Sequence, residues 1–248
     1  MLTDLEFIRY SRQLMLPGFG EAAQLKLKQS KVLLIGCGGL GHAASQYLVS
    51  SGIGQLTLVD GDKVELSNLQ RQVLFRDADT GFNKAKMAVR QLKQLNPHGQ
   101  IEAIEQHFSA DNADALLAKA DWVLDCTDNF NSRTLINQLC QHSQISLISA
   151  AAIDQQGQLM LWPFAHNQSP CYSCLFPELT DQSGNCSSLG VLAPLLGIIG
   201  SMQAMLLIQQ IIQPDTQAKF WQFEGLGFSL KSYALPLQHC CCNEEKIA

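Results

Sequence analysis

KVLLIGCGGLG at 31–41, LTLVDGD at 56–62 and SNLQRQ at 67–72 decide how this chain folds. The apolar run 32–35 has the composition of a parallel strand covered on both faces. Gly36, Gly38, Gly39 and Gly41 follow it with the spacing of a nucleotide-binding turn. Such a turn lets the backbone approach a phosphate and sets a helix N-terminus against the strand. Asp60 closes the next strand about 20 residues on, where a carboxylate can hold ribose hydroxyls. Asp62 lies just beyond it in the same loop.

The residues after Asp60 separate a dinucleotide site from a triphosphate site. A dinucleotide brings roughly two negative charges, which a helix N-terminus and backbone amides largely satisfy. Here Asn68, Arg71 and Gln72 follow closely and Lys84 comes next. Arginine suits bidentate phosphate contacts and lysine acts as a point charge. The chain has no GxxxxGK[ST] loop, so a Walker-type cradle is excluded. The expected ligand is a nucleoside triphosphate on a Rossmann scaffold. The bland reading makes Arg71 and Lys84 ordinary surface charges.

The 248 residues suffice for one large domain. A hydrophobic content of 46% and a charged content of 16% describe a globular chain. The net charge of −5 argues against a general nucleic-acid binder. The N-terminal MLTDLEFIRY does not read as a signal peptide. The nine cysteines therefore read as reduced thiols and metal ligands in a cytoplasmic protein. The segment 191–212 is apolar enough to reach across a bilayer core of ~30 Å. Pro194, Gly197, Gly200 and three glutamines, with no basic flank, favour a buried core or dimer-interface helix.

Residues 3–29 read as helical with a break at Pro17-Gly18. Strands are expected at 31–36, 55–60, 101–106, 122–126 and 145–149, and helices at 83–95 and 131–142. This alternation predicts an α/β fold with a doubly wound, mostly parallel sheet. The segments 158–164, 219–223 and 228–235 are expected to extend the same sheet in mixed or antiparallel orientation. The whole of 1–248 then forms one unit, with nucleotide binding at about 30–150 and a metal- and partner-binding part at about 151–242.

Ligands in open α/β sheets lie beyond the carboxyl ends of the strands. DCTDN at 125–129 is at such an end, and Asp128 is placed to hold the Mg²⁺ of a nucleotide. Asp125 or Asn129 is placed to cap the following helix. Cys171 and Cys174 in CYSC fit one half of a tetrahedral Zn²⁺ site, with Cys242 and either His239 or Cys240 completing it. The alternative is a site that has lost its metal. Cys186, in the polar stretch before the apolar helix, is the candidate nucleophile, whereas Cys37, Cys126 and Cys140 read as core thiols.

Taken together, RYSRQ at 9–13, GCGGLG at 36–41, LVDGD at 58–62, SNLQRQ at 67–72, DCTDN at 125–129, CYSC at 171–174 and GVLAPLLGIIGSMQA at 190–204 resemble the ThiF/MoeB/HesA family, relatives of ubiquitin-activating enzymes. The resemblance runs from about residue 5 to residue 242. It implies an adenylyltransferase that uses Mg-ATP to activate the C-terminal Gly-Gly carboxylate of a small ubiquitin-like sulfur-carrier protein, releasing pyrophosphate. It further implies that Gly39 and Gly41 line the ATP site, that Asp60 binds ribose, and that Asn68, Arg71 and Lys84 contact phosphates while Asp128 holds Mg²⁺. Arg12 resembles the arginine that such homodimers lend to the partner's site. HCCC at 239–242 departs from the family's second CxxC pair, and Asn83 stands where relatives often have proline.

FIRYSRQ and CLFPE resemble the ThiF branch, acting on a ThiS-type carrier in thiamine biosynthesis. GHAASQYL resembles the MoeB branch, acting on a MoaD-type carrier for molybdopterin. A separate protein is expected to donate the sulfur. The rival enzyme class is an NAD-dependent oxidoreductase, which would leave Arg71, Lys84 and Asp128 without roles.

Overall fold

The structure, a computed structural model, describes residues 1–165, 169–177 and 190–235. Three short helices open the chain: α1 (Asp4–Arg9), α2 (Ser11–Leu14) and α3 (Gly20–Gln29). Thr3 and Glu6 form a reciprocal capping box at the start of α1. The expected break at Pro17-Gly18 falls between α2 and α3, where Gly18 and Gly20 take positive φ.

Next come β1 (Lys31–Ile35), α4 (Gly39–Ser50), β2 (Gln55–Val59), α5 (Lys84–Leu95), β3 (Gln100–Ile104), α6 (Ala110–Leu117), β4 (Trp122–Asp125), α7 (Phe130–His142) and β5 (Ser146–Ile153). The remainder is β6 (Gln156–Trp162), α8 (Tyr172–Leu175), α9 (Ala193–Ile212), β7 (Lys219–Glu224) and β8 (Ser229–Ala234). The eight strands among the described residues join one sheet in the order β3-β2-β1-β4-β5-β6-β7-β8. β3 to β5 are parallel, and β6, β7 and β8 are added antiparallel. The expected α/β architecture with an antiparallel C-terminal extension is therefore present. β5 runs longer than the sequence indicates, and α6 was not anticipated.

The alternation along β1 builds a core on each face. Val32 and Leu34 point into the layer of α4, α5 and α9, while Leu33 and Ile35 point into that of α6 and α7. This double burial explains why β1 reads as a continuous apolar run. α9 is long and apolar enough to cross a membrane, by length and composition alone, with half of its most apolar window buried. It packs closely on α4: a Cβ at Gly200 would stand 2.4 Å from the Leu40 carbonyl oxygen. Buried Gln203 donates from Nε2 to the carbonyls of Asp125 (3.1 Å) and Ile148 (2.8 Å). One side chain thus fastens α9 to the strands β4 and β5 beside the cleft.

Candidate active site

The carboxyl ends of β1, β2 and β4 open onto a cavity of about 520 Å³. Gly36, Gly38 and Gly39 form its floor at the N-terminus of α4. Gly36 has φ +96°, and a Cβ there would stand 2.8 Å from the Cys126 carbonyl oxygen, so the turn closes tightly over β4. Gly41 does not line the cavity. It lies beneath, where a Cβ would come within 2.1 Å of the Gly36 carbonyl oxygen, so its part is to let α4 sit close to the turn. The free N–H groups and positive end of α4 thus face the cavity, which favours an anion there.

Asp60 holds the loop rather than standing free. Its Oδ2 accepts from the Cys37 N–H (2.7 Å) and its Oδ1 from the Asp62 N–H (2.8 Å). Burial raises its pKa, with those two N–H groups acting in the opposite direction. The carboxylate is thereby oriented at the end of β2 and retains acceptor capacity towards the cavity. Asp62 lines the same wall, and its Oδ2 accepts from Lys84 Nζ (3.0 Å). Lys84 opens α5, with Asn83 as N-cap accepting from the Lys86 N–H (3.0 Å). Asn83 Nδ2 also donates to the carbonyls of Asp60 (2.8 Å) and Asp62 (3.2 Å). One residue therefore fixes both the lysine and the acidic loop.

Arg71 lines the cavity and donates from Nη1 to the Ser67 carbonyl (3.1 Å). Asn68 does not reach the cavity wall; its side chain is buried and its Oδ1 accepts from the Glu65 N–H (3.3 Å), closing the turn that presents Arg71. Across the cavity, Asp128 follows β4 and lines the wall with Thr127 and Asn129. Asn129 caps α7, accepting from the Ser132 N–H (2.8 Å), which leaves Asp128 outside the capping role. Asp125 is fully buried below, its Oδ1 accepting from the Thr127 N–H (3.0 Å) and hydroxyl (2.6 Å), and burial raises its pKa. Asp128, not Asp125, is the carboxylate available for a hydrated divalent cation.

Two wall residues, Arg133 and His107, escaped the sequence reading, whereas Gln72 belongs to SNLQRQ. Arg133, on α7, is largely buried and donates from Nη2 to the Thr127 carbonyl (2.7 Å). Gln72 is buried, with Oε1 lacking a hydrogen-bond partner among the described residues. His107 and Phe108, which follow β3, also line the cavity. The walls carry the cations Arg71, Lys84 and Arg133 against the carboxylates Asp60, Asp62 and Asp128.

Arg12 is exposed on α2 and is not part of its own chain's cavity wall. Burial pushes the thiols of Cys37 and Cys126 well above their usual pKa and raises that of Cys140, as befits unreactive core cysteines. Cys171 and Cys174 sit with their sulfurs 3.5 Å apart. Two thiolates on one tetrahedral Zn²⁺, at about 2.3 Å each, would stand ~3.8 Å apart, so this half of the site fits the metal. Cys186, His239, Cys240 and Cys242 lie outside the described residues, and no cluster of three or more metal-ligating side chains occurs among the described ones.

The fold and cavity define a Rossmann-type nucleotide-binding protein with cations gathered around its glycine turn. The ThiF family model matches residues 10–244, and the chain belongs to that family. It is 45% identical over 210 residues to the molybdopterin-synthase adenylyltransferase of Escherichia coli K12, covering 85% of this chain and 84% of the relative. It is 40% identical over 235 residues to the sulfur carrier protein ThiS adenylyltransferase of the same strain, covering 94% and 93%. The solved structure of E. coli MccB with ATP superposes with a TM-score of 0.77 at 25% identity, over 93% of this chain and 71% of that one.

Proposed function

We propose that this chain is an ATP-dependent adenylyltransferase that activates the C-terminal Gly-Gly carboxylate of a small ubiquitin-like sulfur-carrier protein. The observation that carries this reading is the convergence of Arg71, Lys84 and Asp128 on the cavity floored by Gly36, Gly38 and Gly39. The adenylyltransferase names of the relatives above, and the ATP named in the MccB structure, support it.

In the proposed reaction a carrier carboxylate oxygen bonds to the α-phosphorus of ATP. The bond to the α–β bridging oxygen breaks, and pyrophosphate leaves. Asp60 holds the ribose, the N–H groups opening α4 face the phosphates, and Arg71 and Lys84 neutralise charge on the leaving group. These contributions are positioning and electrostatics, not covalent catalysis. Mg²⁺, held by Asp128, would further neutralise the phosphate oxygens. Asp62 keeps the Lys84 ammonium in place through its 3.0 Å contact.

A ThiS-type carrier is the first substrate to test and a MoaD-type carrier the second. GHAASQYL at 41–48 and the 45% identity speak for the latter, while FIRYSRQ at 7–13 and the longer 94% coverage speak for the former. We place the enzyme in the cytoplasm as a homodimer in which exposed Arg12 reaches the partner's phosphates. Cys171, Cys174 and Cys242, with Cys240 or His239, are assigned to a structural Zn²⁺. Cys186 is assigned to sulfur transfer with a separate donor protein.

The test is exchange of labelled pyrophosphate into ATP with each purified carrier. Exchange that requires both the enzyme and an intact Gly-Gly terminus supports the reading, and its absence with both carriers contradicts it.

A further inference from the structure

We propose that His107 is a stacking platform for the nucleobase, an inference that rests on the adenylation reading above. It begins with topology. His107 lies in the loop after β3, which pairs with β2 up to Val59↔Ile104. The sheet order β3-β2-β1-β4 puts this loop on the far side of Asp60 from Asp128. In a Rossmann-type site the phosphates lie at the helix N-terminus and the ribose on the carboxylate that ends the second strand. The base then continues towards the β3 side, where His107 lines the cavity.

The orientation of the ring is the second observation. A Cβ built on Gly61 would stand 2.6 Å from His107 Cδ2 and 2.7 Å from both Cγ and Nε2. A point outside the ring but in its plane would lie much nearer one of these atoms than the others. Near-equal distances therefore put Gly61 beneath the face of the imidazole, not at its edge. A side chain at position 61 would displace the ring from this position.

The third observation is that the ring is open. Its Nε2 lies 3.7 Å from Asp62 Oδ1, and the side chain remains 74% exposed. One face is thus covered by backbone and the other is free within the cavity. A planar base stacks on an aromatic ring presented this way, and histidine is among the side chains that serve. Because Asp62 also holds Lys84, a phosphate-side role for His107 is the rival to be separated by experiment.

The experiment is calorimetric titration of the full chain with α,β-methylene-ATP and, separately, with inorganic tripolyphosphate. His107→Ala is expected to weaken the nucleotide analogue about fivefold or more while leaving tripolyphosphate unchanged. His107→Phe, which keeps a flat ring, should bind the analogue within about twofold of wild type, and Gly61→Val should reproduce the loss. Unchanged analogue affinity in His107→Ala would overturn the proposal. Equal loss of both ligands would also overturn it, because the residue would then act on the phosphates through Asp62. Failure of the wild-type chain to bind the analogue would overturn the adenylation reading as well.

Discussion

The central strands β1, β4 and β5 and the outer antiparallel strands β7 and β8 belong to one sheet but meet solvent differently. β1 and β4 are buried almost throughout, and their carboxyl ends carry the glycine turn and DCTDN. β7 is half-buried at every position, and β8 is exposed along its whole length. Chemistry that needs fixed dipoles and aimed charges is built where the backbone is held from both faces. The C-terminal strands instead extend the sheet beyond the nucleotide site, and the cysteine pair lies in the same half of the chain.

This contrast is open to direct attack, and the largest effects belong to the phosphate end. Arg71→Ala, Lys84→Ala and Asp128→Ala should each lower carrier-dependent pyrophosphate exchange by about 100-fold or more, with the fold retained by circular dichroism. Next comes packing. Leu34→Ala, in the doubly covered β1, should cost about 2–5 kcal/mol in urea denaturation. Leu230→Ala, at a β8 position 53% exposed, should change stability by no more than about 0.5 kcal/mol. Equal costs at the two positions would remove the distinction drawn above. Removal of the proposed Zn²⁺ by a chelator should lower the melting temperature while leaving nucleotide-analogue affinity within about twofold, since the cysteine pair is not in the cavity wall.

A further effect is in pH. His42, on α4, accepts the Leu74 N–H at Nδ1 (3.1 Å) and packs edge-on to Phe75 at 4.3 Å, just beyond the segment that carries Arg71. Burial first, and the Lys84 charge second, push its pKa down to about 3, opposed by the Cys37 carbonyl. The native state therefore excludes a proton that the unfolded chain binds below about pH 6.5. The stability this contributes is present above that pH and is lost as pH falls towards 3. His42→Gln should flatten the slope of unfolding free energy between about pH 6 and 4 by up to about 1.4 kcal/mol per pH unit.

The nucleotide half was legible because its signals are local. A strand buried on both faces reads as an apolar run, and a glycine turn reads as glycines. α6 escaped because ADNADALL buries only Ala113 and Leu117, too little for an apolar period. β5 extends beyond the apolar run the sequence shows; Ala150, Ala151 and Ala152 carry weak strand preference, although all three are buried. At the site, the glycines, Asp60, Arg71, Lys84 and Asp128 came from motifs. Arg133 and His107 did not, because their positions are set by tertiary packing: a lone arginine within a helix looks like a surface charge until the helix is placed. The same limit applies to Asn68, whose motif points to phosphate while its side chain closes its own turn.

The central claim is that this cavity directs a carboxylate to the α-phosphorus of ATP. Its most direct test is mass analysis of a Gly-Gly-tailed carrier incubated with the enzyme, ATP and Mg²⁺, alongside identification of the released phosphate species. The account predicts an adenylate on the carrier's C-terminus with one pyrophosphate released per adenylate formed. An unmodified carrier with release of ADP and orthophosphate would contradict it.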